Sequence, residues 1–133
     1  YDDAAALLGQ SLALARVRGD RRATADALNA LGVVAADRDD LPRARALFEE
    51  ALALRRDLGD RRDLALSLYN VANLARDEGE LDVAAGLYGE ALAAWQALGD
   101  TSTVAYVRVA AAIADRLRGS APAALDGATE AAA

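Results

Sequence analysis

The chain has 133 residues, enough for one domain, and 54% of them are hydrophobic. It contains no Cys and no His, which excludes disulfides, the usual zinc sites and any catalytic triad that needs an imidazole. The net charge of −6 and the pI near 4.6 argue against direct nucleic-acid binding. No apolar run approaches the roughly 20 residues that a membrane helix needs.

A Gly-Asp motif occurs three times along the chain. Gly19, Gly59 and Gly99 recur at a constant interval, and an Asp follows each of them. Glycine can adopt the left-handed conformation that ends a helix, and aspartate can accept hydrogen bonds from the first N–H groups of the next helix. The motif therefore predicts tight joints between helices, and its constant spacing predicts an array of stacked repeats.

Helical periodicity predicts the elements in chain order. The first helix has an apolar face but no helix before it to pair with. Two helix pairs follow, and each pair has a short turn between its members. A third pair begins after Gly99, and its second helix is weak because it consists mostly of alanine. The predicted ranges are Tyr1–Val17, Arg21–Asp37, Leu41–Asp57, Arg61–Asp77, Leu81–Ala97, Thr101–Leu117 and Ala121–Ala133.

These elements divide residues 1–133 into one array of related units. Residues at intervals of 40 share a type: Ala4, Ala44, Ala84 and Ala124 form one column. In the last unit, Arg108 falls in a column that was Leu earlier, as expected for the polar end of a solenoid. The absence of Met predicts a piece of a longer chain. The units are a half repeat at 1–17, repeats at 18–57 and 58–97, and a degenerate terminal repeat at 98–133.

The columns resemble the tetratricopeptide repeat, although the period is 40 residues rather than about 34. The resemblance implies an all-α, right-handed αα-solenoid of about seven antiparallel helices, with no catalytic residue, cofactor or metal. The matching positions are Leu28, Leu31, Gly32, Ala35, Ala44 and Phe48 in one repeat and Leu68, Val71, Ala72, Ala75, Ala84 and Tyr88 in the next.

The sequence Leu58-Gly59-Asp60-Arg61 at a joint resembles the 40-residue arrays of large bacterial regulators, including LuxR-type and SARP-type activators and signal-transduction ATPases. That resemblance implies a non-catalytic protein- or peptide-binding domain, part of a larger cytoplasmic regulator. The alternative is an intramolecular sensor or autoinhibitory arm that packs on an ATPase or DNA-binding domain of the same chain. A third hypothesis, catalysis by carboxylates, lacks a predicted buried pair of acids.

Arrays of this family bind ligands on the concave face, which the first helix of each pair lines. Amides can bind a peptide backbone, rings can hold an apolar side chain and arginines can bind carboxylates, so we expect an acidic peptide there. The alternative interpretation is an ordinary solvated face. The family also places Asn70 where some members hold a ligand carboxylate, although the lysines of that clamp are absent. The candidate peptide-binding residues are Asn29, Tyr69, Asn73, Arg76, Tyr106 and Arg116.

Two further surface features follow from the sequence. Arginine pairs at 21–22, 55–56 and 61–62 indicate either an anion site or, as we prefer, a solvated rim paired with Asp57, Asp60 and Asp63. Arg55 and Arg56 lie on the second helix of a pair, away from the concave face, so they should be nearly neutral to ligand binding. In the first helix, Leu7, Leu8 and Leu12 lack a partner helix, so we expect an exposed apolar face. Two chains can form a homodimer through this face or, alternatively, through the degenerate C-terminal end.

Overall fold

The chain forms an all-α solenoid, as the sequence predicts. A computed structural model describes residues 2–119, which contain six α-helices and no strand. The predicted bounds of these helices differ from the observed ones by at most two residues. The predicted helix at 121–133 lies outside the described range. The helices are α1 (Asp2–Arg18), α2 (Arg21–Asp37), α3 (Leu41–Leu58), α4 (Arg61–Asp77), α5 (Leu81–Leu98) and α6 (Thr101–Gly119).

Each helix packs against the next one along the chain. The most extensive contacts join α2 to α3 and α4 to α5, which are the two complete helix pairs. In addition, α4 contacts α6 directly, and the side chain of Asn70 on α4 bonds to Asn29 on α2. The first helices of successive pairs, α2, α4 and α6, therefore lie side by side as one layer, which we call the inner layer.

The joints between repeats have the predicted geometry. Gly59 and Gly99 end α3 and α5 with φ angles of 74° and 75°, in the left-handed region. Asp60 then accepts hydrogen bonds from the N–H groups of Arg62 and Asp63, both at 3.1 Å. These bonds lower the pKa of Asp60, chiefly through the N–H of Asp63. Each joint thus closes one helix and caps the next within two residues.

Replacing Gly59 with Val tests the joint. A β-branched residue is strained in the left-handed region, so Gly59→Val should lower the free energy of unfolding by about 1–2 kcal/mol. The measurement is urea denaturation followed by circular dichroism. Gly86, which lies on α5 with open space around its Cα, provides a control: Gly86→Ala should be neutral or stabilising. An unchanged midpoint for Gly59→Val would mean that the joint tolerates a side chain.

The core lies between paired helices, and α2 and α3 approach each other most closely where Gly32 faces Phe48. A Cβ atom at Gly32 would lie 2.5 Å from Cε1 of Phe48, so only glycine fits beneath that ring. In the next repeat, Ala72 takes the place of Gly32 and Tyr88, which is fully buried, takes the place of Phe48. Buried side chains around Tyr88 and Trp95 form a hydrophobic cluster that joins α4, α5 and α6.

One expectation about the arginine pairs is wrong. Arg55 is only 4% exposed, so it belongs to the core rather than to a solvated rim. Its Nη2 donates to Asp26 Oδ1 at 3.0 Å, and its Nη1 donates to Ser67 Oγ at 2.9 Å. Its Nε has no hydrogen-bond partner among residues 2–119. Arg55 therefore ties α3 to both α2 and α4.

The other arginines of these pairs do lie at the surface. Arg21 pairs with Asp57 at 2.9 Å and Arg22 with Asp60 at 3.3 Å, as the sequence indicates. The pairs recur with the repeat. Arg16–Glu50 and Arg56–Glu90 each join residues 34 apart. Arg62–Asp100 repeats the pair Arg22–Asp60 in the following unit. Exposed ion pairs of this kind each contribute little to stability.

The first helix is only partly exposed. Leu7 is 63% exposed, whereas Leu8 and Leu12 are half-buried because α1 packs against α2. Two apolar residues that the sequence analysis did not single out, Leu14 and Val17, are 50% and 85% exposed. The exposed apolar surface of α1 therefore centres on Leu7, Leu14 and Val17.

Candidate ligand-binding groove

An open groove of about 290 Å³ lies between α4 and α6 on the inner layer. Four of the six candidate residues line it, and these are the two tyrosines, Asn73 and Arg76. The apolar part of the lining comes from α6. The complete lining is Tyr69, Asn73, Arg76, Tyr106, Val109, Ala110 and Ile113.

Tyr69 is the centre of an aromatic cluster beneath this groove. Its ring centroid lies 6.0 Å from those of Trp95 and Tyr106 and 6.1 Å from that of Tyr88. The contact with Trp95 is edge-to-face, at 75° between the ring planes, a favourable arrangement for aromatic pairs. Burial raises the pKa of Tyr69 above the ordinary value for tyrosine. The ring of Tyr69 thus packs against three aromatic neighbours.

The polar part of the groove is held in place from below. The hydroxyl of the buried Tyr88 donates a hydrogen bond to Oδ1 of Asn73. Asn73 also forms a side-chain hydrogen bond with Tyr69, so one of the two N–H donors of its amide is left for a ligand. Arg76 is held at Nε by Asp77 at 3.3 Å, and none of the described residues forms a hydrogen bond or ion pair with its Nη atoms. The groove therefore offers N–H donors to a ligand's carbonyl or carboxylate oxygens.

A second hollow, of about 220 Å³, adjoins the first on α6. Arg116 and Ala112 line it together with Val109 and Ile113, which line both hollows. Val109 is 61% exposed and Ile113 is 46% exposed, so these two side chains form an apolar ridge between the hollows. Arg116 thus lies close to the groove between α4 and α6 but in the neighbouring hollow.

Asn29 is the candidate that the groove does not include. It lies half-buried on α2, and its Oδ1 accepts a hydrogen bond from Asn70 Nδ2 at 3.0 Å. One N–H donor of Asn70 is therefore used to join α2 to α4. This disfavours the role that the family resemblance suggests for Asn70, which is to bind a ligand carboxylate. Asn29 remains at the inner layer, one helix away from the groove.

Sequence analysis missed the residues that support the groove. Trp95 and Tyr88 lie on α5, and nothing in the sequence analysis predicts their contacts with Tyr69 and Asn73. The alignment of the repeats carries one usable signal, because Trp95 aligns with Arg55 and Ala15. Because this aligned position holds Ala, Arg and Trp in successive repeats, the side chains that pack beneath the inner layer differ from one repeat to the next.

Within residues 2–119, no three acidic side chains lie together in a way that would bind a metal ion. None of the helices in that range is both long enough and apolar enough to span a bilayer.

Comparison with known families agrees with the architecture. The family model for the tetratricopeptide repeat matches residues 1–57. This match supports the tetratricopeptide-repeat family. Tetratricopeptide repeats generally mediate protein interactions, and α4 to α6 continue the same helix pairing and joint geometry beyond the matched range. No curated protein matches the sequence.

Proposed function

We propose that the whole chain is a tetratricopeptide-type, non-catalytic module that binds a protein or peptide segment in the groove between α4 and α6. The proposal rests mainly on the combination of a rigid aromatic floor with exposed apolar and cationic side chains. Tyr106 is 68% exposed although it contacts Tyr69, and an exposed ring on a rigid support is a typical anchor of protein interfaces.

The chemistry of the groove favours a polypeptide with acidic residues. Tyr69, Tyr106 and Ile113 can enclose an apolar side chain, while the amide of Asn73 can bind a backbone carbonyl. Arg76 and Arg116 can each bind a carboxylate through a planar, two-pronged guanidinium. The chain as a whole carries a net charge of −6, which disfavours binding of acidic ligands at other parts of its surface.

Alanine substitution of the tyrosines tests the proposal. Tyr69→Ala and Tyr106→Ala should each weaken binding of a peptide selected from an array by about 2 kcal/mol, or about 30-fold, because each removes a central aromatic anchor. The measurement is fluorescence anisotropy with the labelled peptide. Tyr106→Ala is the cleaner variant, since Tyr106 is exposed and contributes little to the core.

Arg56→Ala provides the control. Arg56 is exposed and pairs with Glu90, on the opposite layer of helices, so its loss should leave binding unchanged. Arg55, which the sequence suggested as a second neutral control, is unsuitable because it is buried. Binding that survives both tyrosine changes but is lost with Arg56→Ala would place the ligand on the other face.

We also propose that this module is part of a larger protein. The resemblance to 40-residue bacterial arrays supports a place in a larger cytoplasmic regulator, either as a binding domain or as an arm that contacts an ATPase or DNA-binding domain. The coding sequence on both sides of this segment distinguishes these cases: a nucleotide-binding domain in the same reading frame favours the arm. The absence of any regulatory domain would contradict both.

The exposed leucines of α1 support a further proposal, a homodimer through that helix. Leu7→Glu should then shift the protein to a monomer in sedimentation equilibrium at high concentration, whereas Val83→Glu, at an exposed position on α5, should not. A wild-type protein that is monomeric throughout would contradict the dimer.

A further inference from the structure

We infer that the array can bend at the joint between α3 and α4, where the contacts of two arginines, Arg45 and Arg55, hold two parts of the molecule together. The first part is α1 to α3, and the second part is α4 to α6. The inference is independent of any ligand, because it follows from a comparison of this joint with the next one, between α5 and α6. The repeat period relates the two joints, so α4 and α6 present equivalent sides to the preceding helix pair.

The joint between α5 and α6 is closed by apolar packing. The side of α6 that faces the preceding pair contributes four residues to the hydrophobic cluster around Tyr88 and Trp95. These four are Val104, Val107, Ala110 and Ala114. The backbones of α4 and α6 also approach each other over a longer stretch than those of α2 and α4 do. The helices α4, α5 and α6 therefore share one core.

The corresponding side of α4 is more polar. Ser67 and Asn70 stand at positions where α6 has apolar residues, and their side chains form hydrogen bonds with α3 and α2. Apolar contact across this joint comes from Val71 and Leu74, which belong to the cluster around Phe48. The joint between α3 and α4 therefore depends more on directional polar contacts than the next joint does.

Arg55 holds α4 near its first turn. Besides its bonds to Asp26 and Ser67, its Nη1 donates to the backbone oxygen of Asp63 at 3.4 Å. At the equivalent position of the next repeat, Trp95 packs in the apolar cluster instead. Because hydrogen bonds weaken steeply with distance and angle, a small tilt of α4 relative to α3 breaks the contacts of Arg55.

Arg45 holds α4 at its other end. It lies on α3, and 20% of its side chain is exposed. Its Nη1 donates to Glu78 Oε2 at 2.7 Å and also pairs with Glu80, and both acids lie where α4 ends and α5 begins. Its Nε donates to Glu49 on α3 at 3.0 Å. The equivalent residue on α5 is Ala85, so this contact has no counterpart at the next joint.

Opening the two joints has different consequences for the free energy. At the first joint, water can replace the hydrogen bonds of Arg45 and Arg55, so much of the lost interaction is recovered. At the second joint, opening exposes apolar side chains, and water does not compensate for that loss. Repeat arrays can open at one interface while the neighbouring units stay folded. Bending at the first joint moves Asn29 relative to the groove, which lies within the second part.

Pairs of spin labels measure the bending. The chain has no cysteine, so labels attach only where a cysteine is introduced. The pair Asp37→Cys/Asp77→Cys spans α2 and α4, and the pair Asp77→Cys/Leu117→Cys spans α4 and α6. These three positions are equivalent in the repeats, and all are exposed. In dipolar EPR spectra we expect a broader distribution of distances between α2 and α4 than between α4 and α6.

Arg45→Leu should open the first joint. It leaves three glutamates close together without their cation, so the distance between α2 and α4 should shift to larger values while that between α4 and α6 stays unchanged. Arg118→Leu is the matched control, because it removes the pair between Arg118 and Asp82 across the second joint. Apolar packing holds that joint, so both distance distributions should remain as in the wild type.

The variant Asp26→Leu/Arg55→Trp/Ser67→Val should have the opposite effect, since it copies the residues of the next repeat and should narrow the distribution between α2 and α4. Equal widths for the two label pairs in the wild type would overturn the inference. A shift of both distances in Arg45→Leu would also overturn it, because the array would then loosen as a whole. If circular dichroism shows that Arg45→Leu is unfolded, the triple variant decides, and a distribution that does not narrow contradicts the inference.

Discussion

Asp26→Ala will lower the free energy of unfolding by about 2 kcal/mol, because it leaves the buried guanidinium of Arg55 without its carboxylate partner. Asp26 itself is partly exposed, but its partner Arg55 has only 5% of its side chain exposed. The guanidinium already has an Nε without a hydrogen-bond partner among residues 2–119, so the loss of Asp26 adds a second deficit. Urea denaturation at neutral pH measures the effect.

A matched control and a rescue make this prediction specific. Asp57→Ala removes an equivalent carboxylate from an exposed pair with Arg21 and should cost less than about 1 kcal/mol. The rescue copies the next repeat, in which the positions of Asp26, Arg55 and Ser67 are occupied by Leu66, Trp95 and Val107.

The triple variant Asp26→Leu/Arg55→Trp/Ser67→Val should therefore be at least as stable as the wild type, because well-packed apolar residues often replace a buried ion pair without loss. A triple variant as unstable as Asp26→Ala would show that the two repeats do not share one packing geometry.

Alkaline pH should also destabilise the protein, through Tyr88. Burial raises the pKa of this tyrosine to about 12, whereas an exposed tyrosine titrates near 10. The folded state therefore holds the phenol proton more tightly than the unfolded state does. Its contribution to stability is complete below pH ~10 and is lost as the pH rises towards ~12, with a total loss of about 2–3 kcal/mol. Urea midpoints measured across this range give the slope.

Tyr88→Phe separates this titration from that of the other tyrosines. The variant loses the hydrogen bond to Asn73 and should be about 1 kcal/mol less stable at neutral pH. It has no phenol to ionise at this position, so its stability should fall less steeply with pH. The two curves should cross near pH ~11. Parallel curves would mean that Tyr88 ionises no differently in the folded and unfolded states.

The joints show why the fold could be predicted from the sequence. Glycine and aspartate at Gly59-Asp60 have local roles, left-handed backbone and helix capping, which do not depend on distant contacts. Their recurrence at Gly99-Asp100 then determines the helix lengths and the pairing. The structure confirms both the all-α class and the positive φ of Gly59.

Arg55 shows where such prediction fails. In sequence it stands beside Arg56 near several acids, and the two arginines look alike. In the structure one is buried between three helices and the other is exposed, because the helical rotation between successive residues directs them to different sides. The groove residues pose the same difficulty, since only packing distinguishes Asn29, which bonds to Asn70, from Asn73, which lines the groove. Their role in binding stays a prediction.

The ion pairs on the surface between repeats bear on how such a chain gains or loses repeats during evolution. Arg16 pairs with Glu50 and Arg22 with Asp60, and both acceptors have counterparts in the next unit, at Glu90 and Asp100. Deleting residues 41–80 would bring those counterparts to the places of the lost acceptors, so both pairs would form again. An in-frame loss of this unit therefore preserves the two surface ion pairs at the new junction, although it places Trp95 where Asp26 has Arg55 as its partner. Unequal recombination between such repeats can thus change the length of the array while its surface pairs are kept, and the interior contact of Asp26 is the one that must adapt.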